Sequence, residues 1–208
     1  MIAYTQAISI TCCSQPALEI DLAIKEIFNA QEGEYWAFWK EKKNRSLKGI
    51  LSPQEGAHKL EYAVWSPLIK ENCCVFISNR QDGGHTVIHN ISLKLRYEMI
   101  SVYISSLSDK YPLFNFQYYK YGREIRRIYL MLDSDKWIFY SSGDALDFED
   151  KLSYLRKKVQ LRFSGAQIIA YLKALGWNLD IEKFWFSDKS IFFGKQLKFK
   201  RVNSTSQT

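Results

Sequence analysis

The chain has 208 residues and a net charge of +7, with 47% hydrophobic and 15% aromatic residues. So much apolar material can bury a sizeable core, which excludes a disordered chain, and the length favours one domain over two. Residues 1–110 carry 12 Lys and Arg against 12 Asp and Glu, while residues 111–208 carry 17 against 10, so the whole excess of positive charge lies in the second half. That asymmetry predicts a basic surface facing a negative partner.

The longest uncharged stretch, Met1 to Leu18, contains Thr5, Gln6, Ser9, Thr11, Ser14 and Gln15 and is too polar for a bilayer helix. No Lys or Arg precedes Lys25, so the positive leader of a secretory signal is missing. The expectation is a cytoplasmic protein with no membrane partner. The cysteines form two adjacent pairs, Cys12-Cys13 and Cys73-Cys74. Neighbours on a strand point to opposite faces, so neither pair is a C-x-x-C knuckle and buried free thiols are expected.

In chain order, residues 2–13 are β-rich and read as an opening strand. Ser14 and Pro16 then open a helix over 16–29, with Ala17, Ile20, Ile24, Ile27 and Phe28 on its apolar face. Residues 34–39 read as a strand, and the polar, turn-rich 40–58 as an exposed excursion. Leu60 to Trp65 and 73–78 read as strands. The turn signal at 79–84 is followed by Val87, Ile88, Ile91 and Leu95, whose spacing fits a helix opening near Asp82 or Thr86, while Val87, Ile91, Leu93 and Leu95 fit a strand almost as well; the helix is the reading taken. With a strand from Ile100 to Ser105, this predicts a β-α-β unit with a parallel strand pair.

The second half predicts an antiparallel meander of 114–121, 124–132 and 136–140, with turns at Gly122 and at Asp133-Ser134-Asp135. An acidic loop, Asp144 to Asp150, precedes the basic and partly helical 151–162. Ser164 caps a helix that ends before Gly176. Two short aromatic runs, Ile181 to Phe186 and Ile191 to Phe199, close the chain. The fold class expected is α+β: one domain over 1–202, a central mixed and largely antiparallel sheet with about three packed helices, and a disordered tail at 203–208.

The chain contains no phosphate loop and no nucleophile elbow, and no cofactor is expected. His85 and His89 share a helical face but lack a third ligand, so no metal site is assigned to them. Asp133 and Asp135, with Glu149-Asp150-Lys151, match the D…E-x-K order of metal-dependent nucleases. That match supports a minor reading as a nuclease-like enzyme.

Two surfaces offer binding chemistry. The acidic loop sets Leu146 and Phe148 among Asp144, Asp147, Glu149 and Asp150. With Trp65, it forms a candidate protein-binding site of apolar anchors ringed by charge. Lys120, Arg123, Arg126 and Arg127, interleaved with tyrosines, and Arg156, Lys157, Lys158 and Arg162 form a candidate nucleic-acid surface.

The runs Val64-Trp65-Ser66-Pro67-Leu68, Phe76 to Asn79, Asp82-Gly83-Gly84-His85-Thr86, Ser142-Gly143-Asp144 and Phe148-Glu149 span residues 60–176. Over that span the chain resembles a group of bacterial proteins, some of them similar to immunity proteins, which neutralise secreted toxins by binding them. The resemblance implies a non-enzymatic protein that binds a protein partner, plausibly a toxin domain. A nucleic-acid-binding module is the alternative. Because the chain is basic, a toxin surface matched to it should be acidic.

Overall fold

A strand whose residues are buried on both faces belongs in the middle of a sheet. Ile8–Cys13 (β1) and Met99–Ile104 (β5) are buried at every position. In the computed structural model, which describes residues 7–29, 35–42, 46–48, 53, 60–80, 84–106 and 108–197, these two strands lie side by side at the centre of a nine-stranded sheet. The other strands are Tyr35–Lys42 (β2), Glu61–Trp65 (β3), Cys74–Ser78 (β4), Leu113–Lys120 (β6), Arg123–Asp133 (β7), Lys136–Ser142 (β8) and Ser190–Leu197 (β9). The order across the sheet is β2-β9-β3-β4-β1-β5-β6-β7-β8, and every neighbouring pair is antiparallel. The protein is an α+β fold.

Three helices, Ala17–Asn29 (α1), His85–Leu95 (α2) and Gly165–Ala174 (α3), occupy the spans read from apolar spacing. Ser164 caps α3 by accepting from the Gln167 amide, and Gly176 follows the helix in the left-handed region at φ 81°. The β-α-β unit β4-α2-β5 is present, but its two strands are not neighbours. Both pair antiparallel with β1, which lies between them, so they run parallel to each other without touching. The sequence pattern marks the crossover helix but not which strand fills the gap.

The helices sort the core into two layers. α1 and α2 cover one face through Ile20, Ile24, Phe28, Ile88 and Ile91, packed on Tyr62, Val64, Phe76 and Met99. Lys94 of α2 pairs with Glu26 of α1. α3 and the chain around it cover the other face through Ile168, Tyr171 and Leu172, packed on Ile10, Val102, Phe116, Ile128 and Leu130. Within the aromatic run 181–186 the chain makes a 3-10 turn, Glu182–Trp185. Indole hydrogen bonds hold it there: Trp185 Nε1 donates to the Leu179 carbonyl (2.9 Å) and Trp65 Nε1 to the Phe184 carbonyl (3.2 Å). Most of the expected excursion at 40–58 lies outside the described residues, as does the tail. Leu47, which is described, is fully buried and donates its amide to the Trp185 carbonyl (2.7 Å). Cys12, Cys13 and Cys74 are buried free thiols, and burial pushes the Cys12 and Cys74 thiols well above their ordinary pKa. Among the described residues no helix is long and apolar enough to cross a membrane.

Asp21 of α1 is buried beside Lys25, 2.7 Å away. Burial raises its carboxyl pKa, and the Lys25 hydrogen bond only partly offsets that. A carboxyl whose folded pKa is raised binds its proton more tightly folded than unfolded, so ionising it at neutral pH costs stability. Asp21→Asn is therefore expected to raise the melting temperature at pH 7. The gain should vanish in acid, where Asp21 is protonated in both states; thermal unfolding from acid to neutral pH reads this directly.

Candidate functional site

β7 and β8 form a hairpin whose alternate residues face α3. Arg126, Ile128 and Leu130 are on that side, opposite Ser141, Phe139 and Trp137 across and along the pair. Arg126 is therefore a guanidinium directed into an apolar layer, and the chain from Gly143 to Phe163 folds over it.

The contact is a bidentate ion pair with Glu149. Arg126 Nε donates to Oε1 (2.8 Å) and Nη2 to Oε2 (2.6 Å), and the two side chains are 2% and 0% exposed. Arg126 Nη1 reaches Ser141 Oγ and the carbonyls of Ser142 and Gly143, each at 2.9 Å. Glu149 also accepts from the Leu146 amide (3.1 Å) and the Tyr154 hydroxyl (2.9 Å). The chain of donors continues outward: Tyr171 lies 2.9 Å from Tyr154 and accepts from the Asp150 amide (3.0 Å). Burial alone would lower the Arg126 pKa, but Glu149 outweighs it and the net direction is up. Burial, then the hydrogen bonds to Tyr171 and Glu149, push the Tyr154 phenol far up. Gly143 shows how tightly the loop is drawn in. It sits at φ 77°, and a Cβ there would lie 2.0 Å from the Ile125 carbonyl oxygen.

This arrangement corrects the sequence-based sites. Trp65 is fully buried and cannot meet a partner. Leu146 and Phe148 pack on the α3-side core, with the Phe148 ring 5.6 Å from that of Tyr171. Glu149 is bound to Arg126. Of the acidic loop only Asp144, Asp147 and Asp150 are exposed. The nucleic-acid set is divided as well. Arg126 is withdrawn from the surface, while Lys120 and Arg123 stand exposed beside the Tyr121-Gly122 turn. Arg127, on the opposite face, is held by Glu124 (2.7 Å) and contacts His85 Nε2 (3.0 Å). Because arginine only donates, that imidazole nitrogen is the acceptor. His85 and His89 do share a face, their rings parallel and 6.3 Å apart. Among the described residues no group of three His, Cys, Asp or Glu is placed to hold a metal ion. Asp133 and Asp135 are exposed at the β7–β8 turn. Glu149 is held at Arg126, seven residues back along β7, about 23 Å at the usual rise of a strand. The three carboxylates of the nuclease-like reading do not converge.

What the sequence reading missed follows the ion pair. The chain turns outward at Asp150 and makes two 3-10 turns, Ser153–Leu155 and Val159–Leu161. Ser153 is the inner anchor: its hydroxyl lies 2.7 Å from the Asp150 carbonyl and 3.0 Å from the Arg162 carbonyl and accepts from Gln167 Nε2 (2.7 Å). Arg156 Nη1 donates to the Leu161 carbonyl (3.1 Å), Arg162 Nε donates to the Arg156 carbonyl (2.8 Å), and the Arg162 guanidinium lies over the Phe139 ring. Residues three apart in a 3-10 turn eclipse each other. With Ser153 turned inward, Leu152 and Leu155 project together into solvent, 79% and 78% exposed, and Leu161 is 48% exposed. Lys151, Arg156, Lys157 and Lys158 are exposed around them. The available signal was the leucines themselves: Leu152, Leu155 and Leu161 fit no apolar stripe, which reads as surface leucine only once Ser153 is known to be inside.

No protein-family model matches the chain, and neither a curated protein nor a solved structure is similar to it.

Removing either member of the ion pair leaves the other charged and buried, so Arg126→Met and Glu149→Leu should each cost roughly 3–5 kcal/mol. The double variant Arg126→Met/Glu149→Leu should cost much less than the sum, because neither charge remains. Denaturant unfolding of the four proteins of the cycle measures this, and additive costs would show that the pair is not coupled.

Proposed function

We propose that the chain is a protein-binding protein of the immunity type, which covers an acidic surface of a partner, plausibly a toxin domain, with the ledge at 151–162. One observation carries the reading: two leucines almost four-fifths exposed on a segment whose backbone is fixed from beneath by Ser153 and by the Arg126–Glu149 pair. A rigid loop loses little conformational freedom on binding, so apolar anchors displayed on it convert efficiently into affinity. The surrounding Lys151, Arg156, Lys157 and Lys158 favour an acidic partner and speed its approach. The resemblance to toxin-neutralising proteins points the same way, and the basic ledge answers its requirement for an acidic toxin surface.

A nucleic-acid reading is supported by a second observation. Lys120, Arg123, Lys157 and Lys158 are exposed, and Tyr121, between Lys120 and Arg123 in the chain, is 73% exposed. Leucine anchors do not serve that role, since bases stack on aromatic rings and phosphates need only the cations.

The two readings separate on the leucines. In capture from the native host with nuclease present, a single stoichiometric partner with an acidic surface is expected. Reconstituted with that purified partner, Leu152→Ser/Leu155→Ser should weaken binding by 2 kcal/mol or more, about thirtyfold, with the melting temperature unchanged. Lys157→Glu/Lys158→Glu should act mainly by slowing association. Recovery of nuclease-sensitive RNA or DNA, lost with the lysine variant and indifferent to the leucine variant, would overturn the protein-binding reading.

A further inference from the structure

β8 closes one side of the sheet and, among the described residues, pairs with β7 alone. The two-residue turn Ser134-Asp135 joins them, with Asp133 opposite Lys136. A hairpin of this kind closes on a hydrogen-bonded pair, and bonded and non-bonded pairs then alternate. Lys136, Ile138, Tyr140 and Ser142 thus bond inward to β7, while Trp137, Phe139 and Ser141 direct their N–H and C=O groups outward. Among the described residues no backbone group takes up that outward row. The turn Val159–Leu161 lies against β8, with Val159 in the α3-side core and Arg162 over the face of the Phe139 ring.

Sheet edges exposed to water are normally blunted by charge, proline or a bulge. β8 has a single charge, at its first residue, no proline, and an unbroken register with β7. We propose that β8 pairs antiparallel with β8 of a second copy of this chain, fusing the two sheets across a two-fold axis at Phe139. The sequence of the strand is self-complementary in that register. The outward groups of Phe139 meet those of Phe139 of the second copy, and those of Trp137 meet those of Ser141. Ile138 faces Tyr140 of the second copy at a close, non-bonded site, on the face where Tyr140 stacks on Tyr129 and is itself exposed. Lys136 faces Ser142, so no like charges are opposed. An isologous interface requires this property of a surface, that it complements itself. The pairing is independent of the partner-binding ledge.

The test is the mass of the protein by sedimentation equilibrium, with two double variants. The wild type should associate to a dimer as its concentration rises. Ile138→Lys/Tyr140→Lys sets lysine against lysine twice across the axis and should weaken the dimer at least roughly tenfold. Ile138→Lys/Tyr140→Glu changes the same two positions but sets lysine against glutamate, and should keep the dimer. In the wild type, amide exchange at Trp137, Phe139 and Ser141 should slow as concentration rises, a readout that needs no substitution. A wild type that stays monomeric, a dimer untouched by the double lysine, two doubles equally monomeric at matched melting temperatures, or exchange at those amides independent of concentration would each overturn the proposal.

Discussion

The pair between Arg126 and Glu149 joins a strand of the sheet to the loop that covers it. Withdrawing two full charges from water costs several kcal/mol per ion, and their attraction offsets this only when the geometry is close to ideal and the remaining donors and acceptors are filled. Both conditions are met. The guanidinium fork matches the carboxylate, Nη1 is saturated by Ser141, Ser142 and Gly143, and Glu149 is completed by Leu146 and Tyr154. Lysine could not substitute, since a point charge cannot bind two oxygens and three further acceptors in one plane. The loop must therefore close in one way, and everything attached to it inherits that placement: the inward turn of Leu146 and Phe148, the Tyr154–Tyr171 contact with α3, and the outward turn at Ser153.

A second constraint acts through the opposite face of the same sheet. Under α1 and α2 that face is apolar, but along β1, β5, β6 and β7 it carries Thr11, Ser101, Asn115, Gln117 and Arg127. These groups satisfy one another: Thr11 bonds Ser101, Asn115 bonds Gln117, and Gln117 and Arg127 both bond Glu124. Tyr119 and Arg127 meet at His85 Nε2, and burial, then Glu124, pushes the Tyr119 phenol up to about 12. The row fixes register. A slip of one residue in any of these strands would turn its polar side chains into the α3-side core and lose their partners. The sheet is thus held in register by polar contacts on one face and by apolar packing on the other.

These facts explain what can be read from the sequence. Strands and helices show in spacing, and caps and turns show in residue type, so Ser164, Gly176 and the Tyr121-Gly122 turn mark their positions directly. The β1 strand between β4 and β5 does not show, because local spacing carries no information about which distant strand fills a gap. The fate of the charged residues does not show either. Arg126 and Arg127 are adjacent and chemically identical, yet strand alternation sends one into the core and the other to the opposite face. Which of them is buried depends on a carboxylate twenty-three residues away. Leu146 and Leu152 pose the same problem. Both sit among charges in one stretch of chain, and only the anchoring of Glu149 and Ser153 decides that the first faces in and the second faces out.

The surfaces left open lie at the same side of the molecule, where the second half of the chain, which carries the whole excess charge, builds β7, β8 and the ledge. The two contacts argued for this side respond to that charge in opposite senses. An acidic partner at the proposed ledge would be drawn by Lys157 and Lys158, and salt would screen the attraction. A second copy of the chain brings a net charge of +7 toward another +7, and salt screens that repulsion. At low ionic strength the field would favour an acidic partner at the ledge; as the Debye length shrinks below the separation of the exposed lysines, that attraction would weaken while the repulsion opposing backbone pairing at β8 would weaken too. Charge would thus set how readily each neighbour approaches. The leucines and the outward amides, which salt barely touches, would set how firmly each is held.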